Sequence, residues 1–456
     1  MTKPRVLILG GGISGLSFAH FLEQRAFSGE ITLLEKQERL GGWCQSSQEK
    51  GFILEKGPRC FKADKVVSLI TLLKELGLEE EMIFSSEEAE ERFIYYRNSL
   101  KKLPRTLGQF LSSPLTRPLL FPLMKDALFP KSFYPKQTVY EFVEKRLGKH
   151  AARVLFDPFC LGIFASSSKD LSMEMAFPSL HKNMEKKGSF FSAMKSIQKE
   201  KNPKSSYKGL LGFKKGISSL VDSLSSNLKK TDIRPGAEVY DIQVRTSKEV
   251  EVFTSRGVFV ADHLFVALPK KEAEKLLLPL DLKTFAPLSE IKCSSVACVN
   301  VGYDKKVFSK KGFGYLVPSF LKNPNIGTLF ESEIFPQKQQ NLNHTLFGVM
   351  LGGSNFPEIE NRNEEELTVL ALKSLEQTLQ IKDPPNLIKV TKAEQALPQF
   401  GINHPSLIQK IEQNLAWNFP QINLLGNYLE GVSVDDCISY SQKKASKFLI
   451  KQKMQL

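Results

Sequence analysis

Arg5-Val-Leu-Ile-Leu-Gly-Gly-Gly-Ile-Ser-Gly15 decides the fold. Val6 to Leu9 is a short apolar run of the kind that makes a buried strand. It ends in Gly10-Gly11-Gly12-Ile13-Ser14-Gly15, which holds the spacing Gly-x-Gly-x-x-Gly. Leu16, Ala19, His20 and Leu22 then recur at helical spacing. Only glycine permits the tight first turn, the backbone approach to a pyrophosphate and the near contact of helix with strand, and the helix N-terminus then faces the phosphates. A glycine turn alone occurs in many α/β proteins. Here a second strand-like run, Ile31-Thr-Leu-Leu-Glu35, ends in an acid 20 residues beyond Gly15. A carboxylate at that spacing accepts hydrogen bonds from the adenine ribose. Lys3 and Arg5 ahead of an apolar run imitate a secretory signal, but the glycine turn gives that run a structural purpose.

Outward from this core, Glu35 leads into Arg39-Leu-Gly41-Gly42-Trp43 and then Gly57-Pro58-Arg59. Near the other end, Ile422-Asn-Leu-Leu-Gly-Asn-Tyr-Leu-Glu-Gly-Val-Ser-Val434 reads as a strand, a loop containing Gly426, and a helix beginning near Asp435 and Asp436. Acids there complement the positive helix end, and the exposed amides of Val432, Ser433 and Val434 can bond a ligand oxygen. Between these regions, 232–242, 250–253 and 263–268 read as short strands. The R-x-G-G run at Arg39 resembles the second fingerprint of the FAD-binding monoamine oxidase and phytoene desaturase superfamily. That resemblance implies non-covalent FAD, with Arg39, Gly41, Gly42, Trp43, Gly57, Pro58 and Arg59 around the pyrophosphate side and the Val239 backbone pairing with adenine. The cofactor domain is then discontinuous in sequence.

Seven further blocks narrow the resemblance: Glu55-Lys-Gly-Pro-Arg59, Arg92-Phe-Ile-Tyr95, Leu161-Gly-Ile-Phe-Ala165, Phe177-Pro-Ser-Leu180, Gly312-Phe-Gly-Tyr-Leu-Val-Pro318, Val349-Met-Leu-Gly-Gly353 and Glu430-Gly-Val-Ser-Val-Asp-Asp-Cys-Ile438. In this order, essentially end to end, they resemble the protoporphyrinogen oxidase family. A porphyrinogen is a large apolar tetrapyrrole with carboxylates at its edge, so its pocket needs apolar walls and a cation at the rim. The resemblance makes Phe313 and Leu316 the pair that sandwiches the ring. Met350 becomes an adjacent adaptable contact, Gly162 a close approach, and Arg92 the cation for a carboxylate, with Arg97 as a nearby substitute. It implies three rounds of two-electron oxidation with dioxygen as acceptor, the flavin performing the chemistry and no proton-transfer side chain. Two departures stand out: Pro405 occupies a position where many members have a Trp near the cofactor, and Cys60 follows Arg59 where a small residue is common.

Composition is compatible with this reading. At 456 residues, 41% hydrophobic and 25% charged, the chain is sized for several regions sharing a large interior. Its six cysteines are scattered without a C-x-x-C pair or a His cluster, which argues against a disulfide framework or a zinc site. The net charge of +14 is concentrated: residues 90–230 carry 26 Lys and Arg against 11 Asp and Glu. An anionic membrane surface or carboxylate ligand would be drawn there. Nucleic acid is not expected, because no binding signature accompanies the dispersed lysines.

The expected fold class is α/β: an FAD-binding Rossmann-like domain of glutathione-reductase type over 1–89, 208–284 and 415–456, with an inserted helical subdomain at 90–207 and a mixed-sheet substrate domain at 285–414. The helical part is broken by Pro104, Pro114, Pro118, Pro122 and Pro130 around the apolar stretch Leu119–Met124. Short apolar pieces flanked by cations can lie in a bilayer interface without crossing it. The expected location is therefore cytoplasmic, peripheral on the inner membrane face, and a homodimer is compatible with the sequence. Coproporphyrinogen III oxidation, amine oxidation and a non-catalytic carrier resembling Rab GDP-dissociation inhibitors remain open alternatives.

Overall fold

The strand and glycine turn form as read. In a computed structural model that describes residues 3–129, 134–199, 207–245 and 249–455, Arg5–Leu9 is the middle strand of a five-stranded parallel sheet. Its order is Thr231–Arg234, Glu30–Leu34, Arg5–Leu9, His263–Val266, Ile422–Leu424. The strands come from three separate stretches of chain, so the cofactor domain is assembled from both ends and the middle. Val6, Leu7, Ile8 and Leu9 are all buried, as two helix-covered faces require. Helix Ile13–Gln24 packs beside the long helix Val434–Gln455, where Ser441 Oγ donates to the Ser14 carbonyl at 2.9 Å. An antiparallel meander of Val239–Val244, Val250–Thr254 and Gly257–Ala261 sits beside this sheet. The α/β class and glutathione-reductase-type arrangement are as expected.

A second, seven-stranded sheet runs Leu387–Pro398, Cys293–Tyr303, Thr345–Gly352, Asn325–Phe330, Gly314–Leu316, Arg92–Tyr96, Ser99–Lys102. It is mixed, with one parallel pairing between Gly314–Leu316 and Arg92–Tyr96. Strand alternation splits its side chains into two layers. Ala297, Val299, Phe347, Val349, Leu351 and Tyr315 share a core with Leu367, Ala371 and Leu375 of helix Glu364–Leu379. The alternate residues therefore point the other way, toward the cofactor domain and the helical region.

The region read as helical over 90–207 begins with strands. Arg92–Tyr96 and Ser99–Lys102 form a hairpin that joins the large sheet. Its two-residue turn, Arg97-Asn98, has both φ angles positive, at 51° and 56°, the mirror-image geometry that suits strand twist. Five consecutive residues with two Tyr, one Phe and one Ile are better strand formers than helix formers. Beyond Pro104 the chain is helical: Leu107–Ser112, Leu120–Leu128, Val139–His150, Asp157–Phe164, Pro178–Lys187 and Phe190–Lys199 are the main segments. Pro130 lies outside the described residues. Arg146, buried, bonds Asp126 at 2.7 Å, and Asp126 also accepts from the Phe190 amide, so one ion pair ties three helices together.

The hairpin of Ser46–Glu49 and Phe52–Glu55, with the loop after it, meets the seven-stranded sheet through an ionic join. Arg59 donates to Glu331 at 2.5 Å and to the Cys298 sulfur at 2.9 Å, while Lys338 donates to Glu55 at 2.7 Å, all four charged side chains being buried. Breaking a buried pair by removing one partner strands the other charge, at a cost of about 3–5 kcal/mol. Glu331→Gln should therefore lower unfolding free energy by that amount in a denaturant titration. The double change Arg59→Met with Glu331→Leu should recover most of the loss, because it strands no charge.

Candidate functional site

The glycine turn has the shape a dinucleotide needs. A Cβ at Gly15 would stand 2.1 Å from the Gly10 carbonyl oxygen, and one at Gly10, whose φ is +102°, would stand 2.6 Å from the Ala267 oxygen. Only glycine fits either position. Gly12 caps helix Ile13–Gln24 without any side-chain hydrogen bond, and the first turn contains no acid. The amides of Ile13 and Ser14 thus stay open to an anion. Nothing stands within 4 Å of a Cβ built on Gly12, so the space in front of the turn is free.

Glu35 lies at the tip of the second strand, where Oε2 accepts from the Gly11 amide and Oε1 from the Gln37 amide, each at 2.9 Å. The Gly11 carbonyl accepts from the Gly41 amide at 2.7 Å, which docks Arg39–Trp43 against the turn. Arg39 wraps its own loop, donating to the Gly42 carbonyl at 3.1 Å, and Trp43 is exposed. Gly57 sits so close beneath Trp43 that a Cβ would meet its carbonyl at 2.2 Å. Val239 opens the meander just after Ala237, whose amide donates to the Glu35 carbonyl, so the adenine side of the fingerprint is gathered at one end of the parallel sheet.

From the other end, Gly426 follows strand Ile422–Leu424 with φ +143°. Ser433 and Asp436 cap the long helix reciprocally: the Asp436 amide donates to Ser433 Oγ at 3.1 Å, and Ser433 Oγ donates to the carboxylate at 2.6 Å. Val432, Ser433 and Val434 therefore begin a helix beside the one that begins at Ile13. Asp435 accepts from the Leu69 amide at 2.7 Å, capping a third helix, and burial raises its pKa. Three segments far apart in sequence converge on one place. The Ser433 amide, expected to face a ligand, is instead spent on the Asp436 carboxylate at 3.1 Å, while the open amides of the glycine turn, its cradle and the anchored acid fit an adenine dinucleotide.

Arg59 and Pro405 depart from simple expectation. The Arg59 side chain, expected near the cofactor, is engaged by Glu331 and Cys298 in the interior. Burial opposes its charge, but Cys298 and Glu331 outweigh that and raise its pKa. Pro405 is the second residue of helix His404–Asn418, where a missing N–H costs nothing. Its neighbour His404 instead contacts the cofactor-side loop, with Nε2 3.1 Å from the Leu429 carbonyl, and Asn427 Nδ2 donates to the Ala396 carbonyl at 3.0 Å. Burial lowers the His404 pKa, against hydrogen bonds to Leu429 and Tyr428 that raise it. Burial pushes the Cys60 thiol up to about 12, so it stays protonated.

The residues expected at the substrate lie on the site-facing layer of the seven-stranded sheet. Leu316 pairs with Gly327 and Gly327 with Met350, a row across three strands in which the glycine leaves room. Helix Asp157–Phe164 covers this row: a Cβ on Gly162 would stand 2.5 Å from Leu316 Cδ2. Arg92 pairs in register with Gly314, and its guanidinium lies 5.3 Å from the Phe313 ring centre. Leu316, Gly162 and Met350 are thus brought together, and Arg92 with Phe313, which packs against Leu210, Ile334 and Phe335. Arg97 sits instead at the hairpin tip over Tyr96, 5.3 Å from its ring centre. A cavity of about 240 Å³ opens beside Arg92, lined also by Lys62, Glu90, Arg105, Phe159 and Leu210. Sequence reading passed over Lys62, Arg105 and Phe159. The only signals for them were two cations within otherwise generic strand and loop text and an aromatic three residues before Gly162.

Residues 13–445 match the family model described as flavin containing amine oxidoreductase. Protoporphyrinogen oxidase of Bos taurus is 30% identical over 474 residues, which cover 97% of this chain and 98% of that one. Coproporphyrinogen III oxidase of Bacillus subtilis is 24% identical over 469 residues, covering 97% of each. A crystal structure from Exiguobacterium sp. 255-15 superposes with a TM-score of 0.87 over 99% of this chain and 100% of its own, at 24% identity, and so shares the fold.

Gly15→Ala should leave a folded protein that purifies largely without flavin. The ratio of visible flavin to protein absorbance should fall about tenfold, corresponding to ~1.4 kcal/mol of lost binding. His404, its pKa lowered, is neutral in the folded protein at pH values where the unfolded chain, titrating near ~6.5, is protonated. Its contribution to stability is thus full above that range and lost as pH falls toward the lowered folded value. The stability difference between the parent and His404→Gln should shift in that direction between about pH 7 and 5 in denaturant titrations.

Proposed function

Because this chain belongs to the flavin containing amine oxidoreductase family, and within it to the protoporphyrinogen oxidases, we propose that it oxidises protoporphyrinogen IX to protoporphyrin IX in haem biosynthesis. The stoichiometry is six electrons and six protons removed in three rounds, with three molecules of dioxygen reduced to hydrogen peroxide. FAD, once bound, supplies the hydride acceptor. The protein's share is binding, orientation and water exclusion. Gly10–Gly15 and Glu35 hold the adenosine diphosphate end, Arg39, Gly41, Gly42, Trp43, Gly57 and Pro58 form the adjoining wall, Val239 lies at the adenine, and Gly426 with Val432–Val434 closes the flavin end.

The observation that supports the substrate most is that Arg92 stands over Phe313 on the strand neighbouring Leu316, with Gly162 and Met350 packed around Leu316, which gives an apolar region one cation at its edge. Arg92 has no carboxylate partner among the described residues, so its fork is available to a carboxylate of the substrate. Beyond Met350 the surroundings are apolar, comprising Leu161, Ala165, Val296, Ile326, Ala393 and Leu397. A tetracarboxylate such as coproporphyrinogen III would need cations at that end too, which favours the dicarboxylate.

The helical region also suits a poorly soluble substrate. No helix among the described residues is long and apolar enough to cross a membrane. Yet Phe121, Met124, Leu128 and Phe129 are all exposed along one face of helix Leu120–Leu128 and its end, with Phe191 and Met194 exposed on the helix packed beside it. Lysines 125 and 195 lie on the same helices. This apolar face edged with cations fits peripheral insertion into the headgroup region of an anionic bilayer.

Anaerobic addition of protoporphyrinogen IX to the flavin-loaded protein should bleach the visible flavin bands, and air should restore them with porphyrin fluorescence. An unbleached flavin overturns the substrate assignment, and faster bleaching by coproporphyrinogen III moves it to that substrate. Arg92→Ala should raise KM about tenfold or more with a smaller change in kcat. Phe121→Ser with Met124→Ser should weaken co-sedimentation with anionic vesicles and leave the rate on detergent-dispersed substrate unchanged.

A further inference from the structure

We propose that Lys62 is a second carboxylate-binding residue of the substrate site, acting beside Arg92 so that two carboxylates on neighbouring rings are held at one edge. The inference rests on the porphyrinogen reading above and adds to it a residue outside the family blocks.

The cavity of about 240 Å³ next to Arg92 contains three cations, Lys62, Arg92 and Arg105, and one acid, Glu90. Glu90 is taken: Arg105 Nη2 lies 3.2 Å from its carboxylate, and Arg105 Nη1 donates to the Glu87 carbonyl at 3.2 Å. Glu91 is taken by Lys102. What remains is Arg92, without a carboxylate partner among the described residues, and Lys62, which is half exposed and whose ion pair with Asp64 is long, at 3.9 Å. One unpaired and one loosely paired cation at one small cavity suit two carboxylates of a ligand.

The cavity shares Arg92 with the ring site. Phe159 lines it and lies on the same helix three residues before Gly162, which touches Leu316. Lys62 is held in place by a short strand, paired with Leu210, another lining residue. The strand alternation that buries Phe61 turns Lys62 outward. The far end of the row, past Met350, is apolar. A ligand with both acids on one edge satisfies the whole surface, whereas acids spread around the ring do not.

Lys62→Met, Lys62→Arg and the parent, all flavin-loaded, should be compared on protoporphyrinogen IX and on its dimethyl ester. Lys62→Met should raise KM for the free diacid about tenfold with kcat nearly unchanged, Lys62→Arg should restore most of it, and the ester should give the same KM with all three. An unchanged KM for the diacid, or an equal rise for diacid and ester, overturns the proposal. Binding of protoporphyrin IX and its dimethyl ester, followed by fluorescence, separates this from the reaction itself. If the parent binds the diacid more tightly than Lys62→Met but turns over no porphyrinogen, the carboxylate site stands and the oxidase reading falls. Equal diacid binding by parent and variant removes the site whether or not turnover is seen.

Discussion

Two buried carboxylates hold the architecture in working order. Glu331, carried by the large sheet's return after Phe330, meets Arg59, and Glu55, on the cofactor side, meets Lys338. Each pair crosses the same boundary in the opposite sense, so the loop that follows the second glycine block is fastened to the face of the seven-stranded sheet. Desolvating four charges is costly, and such pairs contribute more to geometry than to net stability. Here the geometry is the distance between the dinucleotide turn and the layer carrying Leu316 and Met350. A substitution that loosens this junction separates a cofactor from its substrate without touching either.

Much of this was legible in the text of the chain. Gly10, Gly12, Gly15 and Glu35 announce the parallel sheet because few other arrangements demand glycine at those intervals and an acid at that remove. Phe313, Leu316 and Met350, in contrast, carry no local signature: each is an apolar residue in an apolar strand. They are expected site residues only by resemblance; alternation across three paired strands groups Leu316 with Met350, while Phe313 lies ahead of its strand and meets Arg92. The hairpin at Arg92–Lys102 escaped because a basic, proline-rich continuation masked five strand-forming residues. Arg59 looked like a phosphate ligand in sequence, since nothing local reveals a partner 272 residues away.

Pro405 shows how a local departure can be absorbed. Where a bulky aromatic would otherwise stand, the chain starts a helix, and the preceding His404 reaches the Leu429 carbonyl with its ring stacked edge-on, 4.6 Å from Phe400. The link between the substrate sheet and the cofactor loop survives through a hydrogen bond in place of aromatic packing. Because burial disfavours the imidazolium even though the bond itself survives protonation, the junction inherits a sensitivity to acid.

The order of strands in the parallel sheet governs how this protein is made. Its central strand, Arg5–Leu9, leaves the ribosome well before its edge strand, Ile422–Leu424, and the helix that seals the glycine turn follows after. Everything between those two strands must be synthesised before the dinucleotide cradle can close, so the nascent polypeptide carries an unfinished parallel sheet throughout that stretch. Such non-local assembly is slow and exposes unpaired strand edges. Capture of the nucleotide by the full cradle therefore follows the edge strand's synthesis and locks a sheet whose partners have already met.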